Sequence, residues 1–146
     1  MMSELPSQAR VVIIGGGVVG VSCAYHLAKA GWTDCVLLEK NELTAGSTWH
    51  AAGNVPTFST SWSIMNMQRY STELYSNLGD EVDYPMNYNV TGSIRLGHSK
   101  ERIQEFQRAK GMGLYQGMNI EILDNNEIKK LYPFIETHEI QGALYD

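Results

Sequence analysis

A glycine-rich turn and a lone acid stand closest to chemistry in this chain. Gly15, Gly17 and Gly20, within Gly15-Gly16-Gly17-Val18-Val19-Gly20, fit the spacing G-x-G-x-x-G. In that pattern the first glycine permits a tight turn and the second lets backbone approach a pyrophosphate. The third lets the following helix pack close to the strand. Glu39 stands 19 positions after Gly20, where a carboxylate can accept hydrogen bonds from both hydroxyls of a ribose. An acid there also repels the 2′-phosphate of NADP. Together with Val18, Val19 and Lys40, these residues point to a site for the ADP half of a dinucleotide.

The elements that must position them are short. Val11-Val12-Ile13-Ile14, behind Arg10, suits a strand buried on both faces of a parallel sheet. The next stretch predicts a helix from about Gly17 to Ala30, with Val21, Ala24, Tyr25, Leu27 and Ala28 as its apolar face and Gly31 just past its end. Its unpaired N-terminal amides and positive dipole end form a ready phosphate site. Cys35-Val36-Leu37-Leu38 reads as a second buried strand, closed by Glu39. Strand, turn, helix, strand and acid in that order supply the context the fingerprint requires. The plain alternative is a glycine-rich turn in an ordinary α/β unit. On this reading residues 1–9 are a tail and 10–40 a βαβ unit.

After Lys40 the chain turns small and polar. Within Leu43-Thr44-Ala45-Gly46-Ser47-Thr48-Trp49-His50-Ala51-Ala52-Gly53, small residues let backbone wrap closely around a planar ligand. Their amides are then free to meet phosphate or ring atoms. His50 is the titratable, nucleophilic side chain of the Gly46–Gly53 run. Placed just after the Glu39 strand, this run resembles that of the dimethylglycine dehydrogenase and sarcosine dehydrogenase family. These are FAD-dependent amine oxidoreductases related to D-amino-acid oxidase.

The resemblance runs from Arg10 onward and carries several implications. It implies an α/β fold, the N-terminal part of an FAD-binding Rossmann-like domain of the glutathione-reductase type. The parallel sheet of that domain would be incomplete in this chain. It implies FAD held by Gly15, Gly17, Val18, Val19, Gly20, Glu39, Lys40, Gly46, Ser47, Thr48, Trp49, His50, Ala51, Ala52 and Gly53. His50 would be bonded covalently through the 8α-methyl group of the isoalloxazine, which withdraws electrons from the flavin and makes it a stronger oxidant. The substrate class implied is an N-methyl amine, with electrons passed on to an electron-transfer flavoprotein or to oxygen. A tetrahydrofolate region would lie beyond this sequence, as would the residues that activate the amine. Two rivals stay open. One is a non-catalytic regulatory subunit that keeps the flavin-domain sequence. The other is an NAD-linked dehydrogenase, which leaves the Gly46–Gly53 run unexplained.

The segment 41–60 is therefore expected to be the flavin loop, and 61–146 helices and short strands. Ser61–Leu78 predicts a helix, with Ile64, Met67, Leu74, Tyr75 and Leu78 facing the core and Gly79 as its stop. Val90–Leu96 predicts a strand in which Gly92 marks a bulge or a close approach. Ser99 to about Lys110 predicts a charged helix with Ile103 and Phe106 inward, and Ile120–Leu123 a short strand. Asp124 and Glu127 form a capping pair for a helix ending before Pro133, and Gly142–Asp146 opens another strand. Arg95 reads as a solvated strand residue, and His26, His98 and His138 as structural or surface groups.

The bulk properties exclude some functions. A length of 146 residues suggests one domain, and a formal charge of −5 without a Lys/Arg cluster argues against nucleic acid. No apolar run approaches the ~18 residues of a membrane span. Cys23 and Cys35 lack C-x-x-C spacing and read as buried thiols of a reducing compartment. Met1–Ala9 resembles neither a signal peptide nor an Arg-rich transit peptide. These features favour a bacterial cytoplasm, with a matured mitochondrial matrix form as the alternative.

Overall fold

The computed structural model describes residues 6–146. The chain divides between Asn54 and Val55 into two compact units, a boundary inside the segment 41–60.

In the first unit, strand β1 (Val11–Ile14), helix α1 (Val18–Lys29) and strand β2 (Cys35–Leu38) follow in order. β1 and β2 pair in parallel, Val11 opposite Cys35 and Ile14 opposite Leu38. Gly17 is the N-cap of α1 and Ala30 its C-cap. The helix ends in a Schellman motif, with Gly31 N–H donating to Ala28 O and Trp32 N–H to Leu27 O. Gly31 sits at φ 83°, where glycine carries no Cβ penalty. The βαβ elements thus form where the apolar runs and glycines predict them.

Burial departs from expectation. β1 alternates half-buried and exposed residues, and Ile14 is 87% exposed, so the strand is covered on one face only. α1 packs against both strands with Ala24 and Leu27 half-buried, while Val21 and Ala28 of its expected apolar face are exposed. Cys23 also lies on the exposed side and is not a buried thiol; Cys35 is half-buried, and both are free. The physical reason is that two strands and one helix have only one mutual interface to bury.

The second unit contains α2 (Trp62–Val82), β3 (Ile94–Gly97), α3 (Lys100–Tyr115), β4 (Glu121–Leu123), α4 (Asn125–Leu131) and β5 (Gly142–Tyr145). β5 is central in an antiparallel sheet of order β3-β5-β4. One cluster packs Phe58, Met65, Phe106, Ala109, Ile120 and Leu144; another packs Leu123, Ile128, Ile140 and Ala143. Ser99 caps α3 by accepting from Arg102 N–H at 3.2 Å, and Asp124 and Glu127 complete a capping box on α4.

Three expectations fail in this unit. Gly79 does not stop α2. The helix continues to Val82 and ends on Asp83 in the left-handed region, while Tyr84 N–H bonds Gly79 O. A Cβ at Gly79 would lie 3.2 Å from Met86 Cγ and 3.2 Å from Tyr84 O, so glycine serves there to admit the returning chain. The inward face of α2 is centred on Met65, fully buried, whereas Ile64 and Met67 are exposed. Pairing of β3 begins only at Ser93, which exchanges backbone hydrogen bonds with Asp146. The segment before it yields to Gly92, whose missing side chain leaves room for the Tyr145 ring.

Arg95, its side chain 31% exposed, is likewise held by partners and not simply solvated. Its Nη2 donates to Phe58 O at 3.1 Å, its guanidinium lies 4.8 Å from the centre of the Phe58 ring, and Asp146 Oδ1 is 3.9 Å away. Burial raises the Asp146 carboxyl above its ordinary value, an effect that Arg95 and Ser93 oppose.

Candidate functional site

Everything that gathers at the glycine-rich turn belongs to the first unit. Gly15 N–H donates to Leu38 O at 2.8 Å, tying the end of β1 to the end of β2. Gly15 then turns the chain at φ 108°, a conformation that a side chain rarely adopts. A Cβ on Gly20 would fall onto the Gly15 carbonyl oxygen, so glycine there is what allows α1 to start against the turn. Gly16 is the one buried residue among residues 6–54.

The first turn of a helix leaves its N-terminal amides without intrahelical partners. Here Val18 N–H donates to the Thr48 hydroxyl at 2.9 Å. Among the described residues, Gly17, Val19 and Gly20 amides have no such partner. α1 carries no acid in its first turn and no side-chain cap from Gly17. Three free amides at the positive end of a helix fit a phosphate group.

Glu39 closes this cradle from the end of β2. Its Oε2 accepts from Gly16 N–H at 2.7 Å and its Oε1 from Asn41 N–H at 2.9 Å. These amides, Gly16 first and Asn41 second, hold the carboxyl below its ordinary value, and the Lys40 amide and charge act in the same direction. The carboxylate is therefore ionised at neutral pH and fixed beside the turn, with acceptor capacity left over.

The 41–54 segment folds onto the same turn. Thr44 N–H donates to Gly16 O at 2.9 Å, and Leu43 packs where a Gly16 side chain would stand. A Cβ on Gly17 would come within 3.0 Å of the Thr48 hydroxyl. From Thr48 onward short backbone bonds wind the chain, His50 N–H to Ser47 O and Ala51 N–H to Thr48 O, both at 3.2 Å. His50 Nδ1 lies 3.1 Å from Gly46 O. With Nδ1 donating to that carbonyl, Nε2 carries the lone pair and remains free for chemistry. Trp49 is 78% exposed.

The structure thus brings together Gly15, Gly17, Val18, Gly20, Glu39 and Thr48, with His50 and Gly46 joined to them through the loop. Val19, Ser47, Ala51, Ala52 and Gly53 extend outward and are exposed except for the backbone contacts named. Leu43 and Thr44 were missed as parts of the turn. The one sequence signal for Leu43 was its being the large apolar residue of the polar stretch 41–48. Among the described residues no group of His, Cys, Asp and Glu could hold a metal, and no helix is long and apolar enough to cross a membrane.

A parallel βαβ unit whose glycine-rich turn presents free amides, with a carboxylate ending its second strand, defines the class of dinucleotide-binding α/β domains. The family model for FAD-dependent oxidoreductases of the D-amino-acid oxidase group matches residues 10–146, and the chain belongs to that family.

Rat mitochondrial dimethylglycine dehydrogenase is 42% identical over 143 residues, 98% of this chain and 17% of that protein. The mouse mitochondrial pyruvate dehydrogenase phosphatase regulatory subunit is 40% identical, over 97% of this chain and 16% of that protein. Human mitochondrial sarcosine dehydrogenase is 34% identical, over 97% and 16%. Among solved structures, an L-proline dehydrogenase from P. horikoshii superposes with a TM-score of 0.88 at 25% identity, covering 97% of this chain and 37% of that one. The chain thus spans about a sixth of the length of these three curated relatives.

Proposed function

We propose that this chain is the FAD-binding segment of an oxidoreductase that oxidises N-methyl amines such as dimethylglycine or sarcosine. The observation that carries the reading is the folding of the Leu43–Gly53 loop directly onto the glycine-rich turn, through Thr44–Gly16 and Thr48–Val18. A cofactor held at one would therefore meet the other.

The residues fit the group. Gly17, Val19 and Gly20 amides would receive the pyrophosphate, and Glu39 the ribose hydroxyls. His50, with Nδ1 on the Gly46 carbonyl and Nε2 free, would hold the isoalloxazine covalently. When bound, FAD supplies a two-electron acceptor for the C–H next to an amine nitrogen. What this chain contributes is binding, orientation and the electron-withdrawing histidyl attachment. Electrons would leave to an electron-transfer flavoprotein or oxygen, and tetrahydrofolate would be served by sequence outside this segment. The relatives' mitochondrial names favour the matrix reading over a bacterial cytoplasm.

Acid precipitation of the flavin-loaded protein tests this. Flavin fluorescence should stay with the polypeptide and be lost from it in His50→Ala. Flavin released entirely into the supernatant from loaded wild-type protein would reject the covalent bond, and absence of flavin from the full-length protein would reject the cofactor.

A second reading has an observation of its own, the 40% identity to a phosphatase regulatory subunit. It predicts no amine turnover by the full-length protein, measured as dye reduction with dimethylglycine and with sarcosine.

A further inference from the structure

The Val18 amide is removed from the phosphate cradle by a residue 30 positions away, Thr48. α1 has no cap of its own, because Gly17 has no side chain to offer. Thr48 is also the one residue of 40–54 that is not exposed. It is therefore, beside the Thr44–Gly16 bond and the Leu43 contact, a point at which an otherwise solvent-facing loop is fastened to the start of α1.

We propose that Thr48 is a positioning residue. It caps α1 from a distance, and by doing so it fastens the loop that carries His50. The hydroxyl accepts from Val18 N–H, and its side chain occupies the space left by the absent Gly17 side chain. Ala51 N–H donates back to Thr48 O, while Trp49 N–H reaches Gly46 O and Thr44 O, each at 3.1 Å. Fixing Thr48 therefore fixes the turns on either side of it, including the Gly46 carbonyl that orients the His50 ring. Because the hydroxyl oxygen accepts the hydrogen bond from Val18 N–H, its own O–H is a donor left over and can point toward an anion at the helix end. This inference rests on the FAD reading for its chemical consequence but not for its structural content.

Amide exchange followed by NMR on the flavin-free chain tests the structural part, with Thr48→Val, Thr48→Ser and Thr48→Asn. Valine keeps the shape and removes the acceptor; serine and asparagine keep an acceptor suited to capping. In Thr48→Val the Val18 amide should exchange about fivefold faster, the factor expected for a lost helix cap. The Trp49, His50 and Ala51 amides should speed up with it. Serine and asparagine should restore the slow rates. Unchanged loop amides in the valine variant would overturn the proposal, as would a serine variant that behaves like valine. If valine unfolds the unit as a whole, rescue by serine and asparagine still decides whether the acceptor is responsible.

The second readout uses flavin-loaded protein. Thr48→Val should lower the acid-stable share of flavin more than total flavin bound, and an unchanged acid-stable share would refute the positioning role. Wild-type protein without any flavin would count against the FAD reading alone, since the exchange rates judge Thr48 without it.

Discussion

The two units of this chain are held together by different means. Residues 55–146 enclose two apolar clusters, with Met65, Ile128 and Ala143 fully buried. In residues 6–54 a single glycine is buried, and large apolar side chains such as Val19 and Ile14 face outward. There, beside a half-buried apolar face, hydrogen bonds converge on one turn, from Leu38, Glu39, Thr44 and Thr48. Apolar burial is non-directional and tolerant of detail, whereas a polar cradle depends on the placement of single atoms. The unit with the candidate site has the smaller core, and its precision comes from backbone geometry.

That contrast can be broken experimentally. The largest effect is expected for Phe106→Ala in the second unit, about 3–5 kcal/mol of unfolding free energy by denaturant titration. A loss below 1 kcal/mol would mean that the cluster is not a working core. Gly20→Ala should cost about 1–3 kcal/mol by overpacking, since its methyl would meet the Gly15 carbonyl. Faster exchange of the β1 and β2 amides would register it. Asp124→Ala removes the two bonds its side chain accepts, from Asn126 N–H and Glu127 N–H, and should cost about 1 kcal/mol, seen as a lower denaturation midpoint. Ile14→Ala, at a residue 87% exposed, should stay within about 0.5 kcal/mol. A larger loss there would show that the first unit has a core after all.

The subtlest distinction is in pH. Glu39 is held below its ordinary value of 4.5 by the Gly16 and Asn41 amides. Its contribution is present above that value and fades as pH falls through the lower folded one. Asp146 is raised above 3.8 by burial. Its contribution is full below 3.8 and is lost as pH rises through the folded value. A carboxyl-resolved NMR titration should find Asp146 above 3.8 and Glu39 below 4.5. Either displacement in the opposite direction would contradict the environment described for that group.

How much of this was legible in the sequence follows the same division. β1, α1 and β2, the Schellman glycine Gly31 and the Asp124–Glu127 box rest on interactions within a few residues, and those patterns can be read locally. The glycine spacing and Glu39 were legible as a turn and a candidate site because each glycine has one local task. What escaped reading was set at a distance. Met65, and not its neighbours Ile64 and Met67, turned inward because Phe58 and Phe106 lie on that side. Gly79 read as a stop, but its role comes from Met86 in the returning chain. Arg95 looked solvated until Phe58 and Asp146 were placed beside it. Thr48 belonged to the right loop, yet its partner Val18 lies on another element.

The order β3-β5-β4 carries a consequence for how the second unit is made. β3 and β4 precede β5 in the chain but do not touch each other; each pairs only with β5. β4 and β5 are successive strands, but α4 lies between them. No tight hairpin can therefore start this sheet, and a longer connection must close before either ladder repays its entropy. On a ribosome, β3 and β4 would emerge as unpaired strands, and both would find their partner in a single late event when Gly142–Tyr145 clears the exit tunnel. The interval before that event is when the chain's edges are most open to pairing with the wrong neighbour.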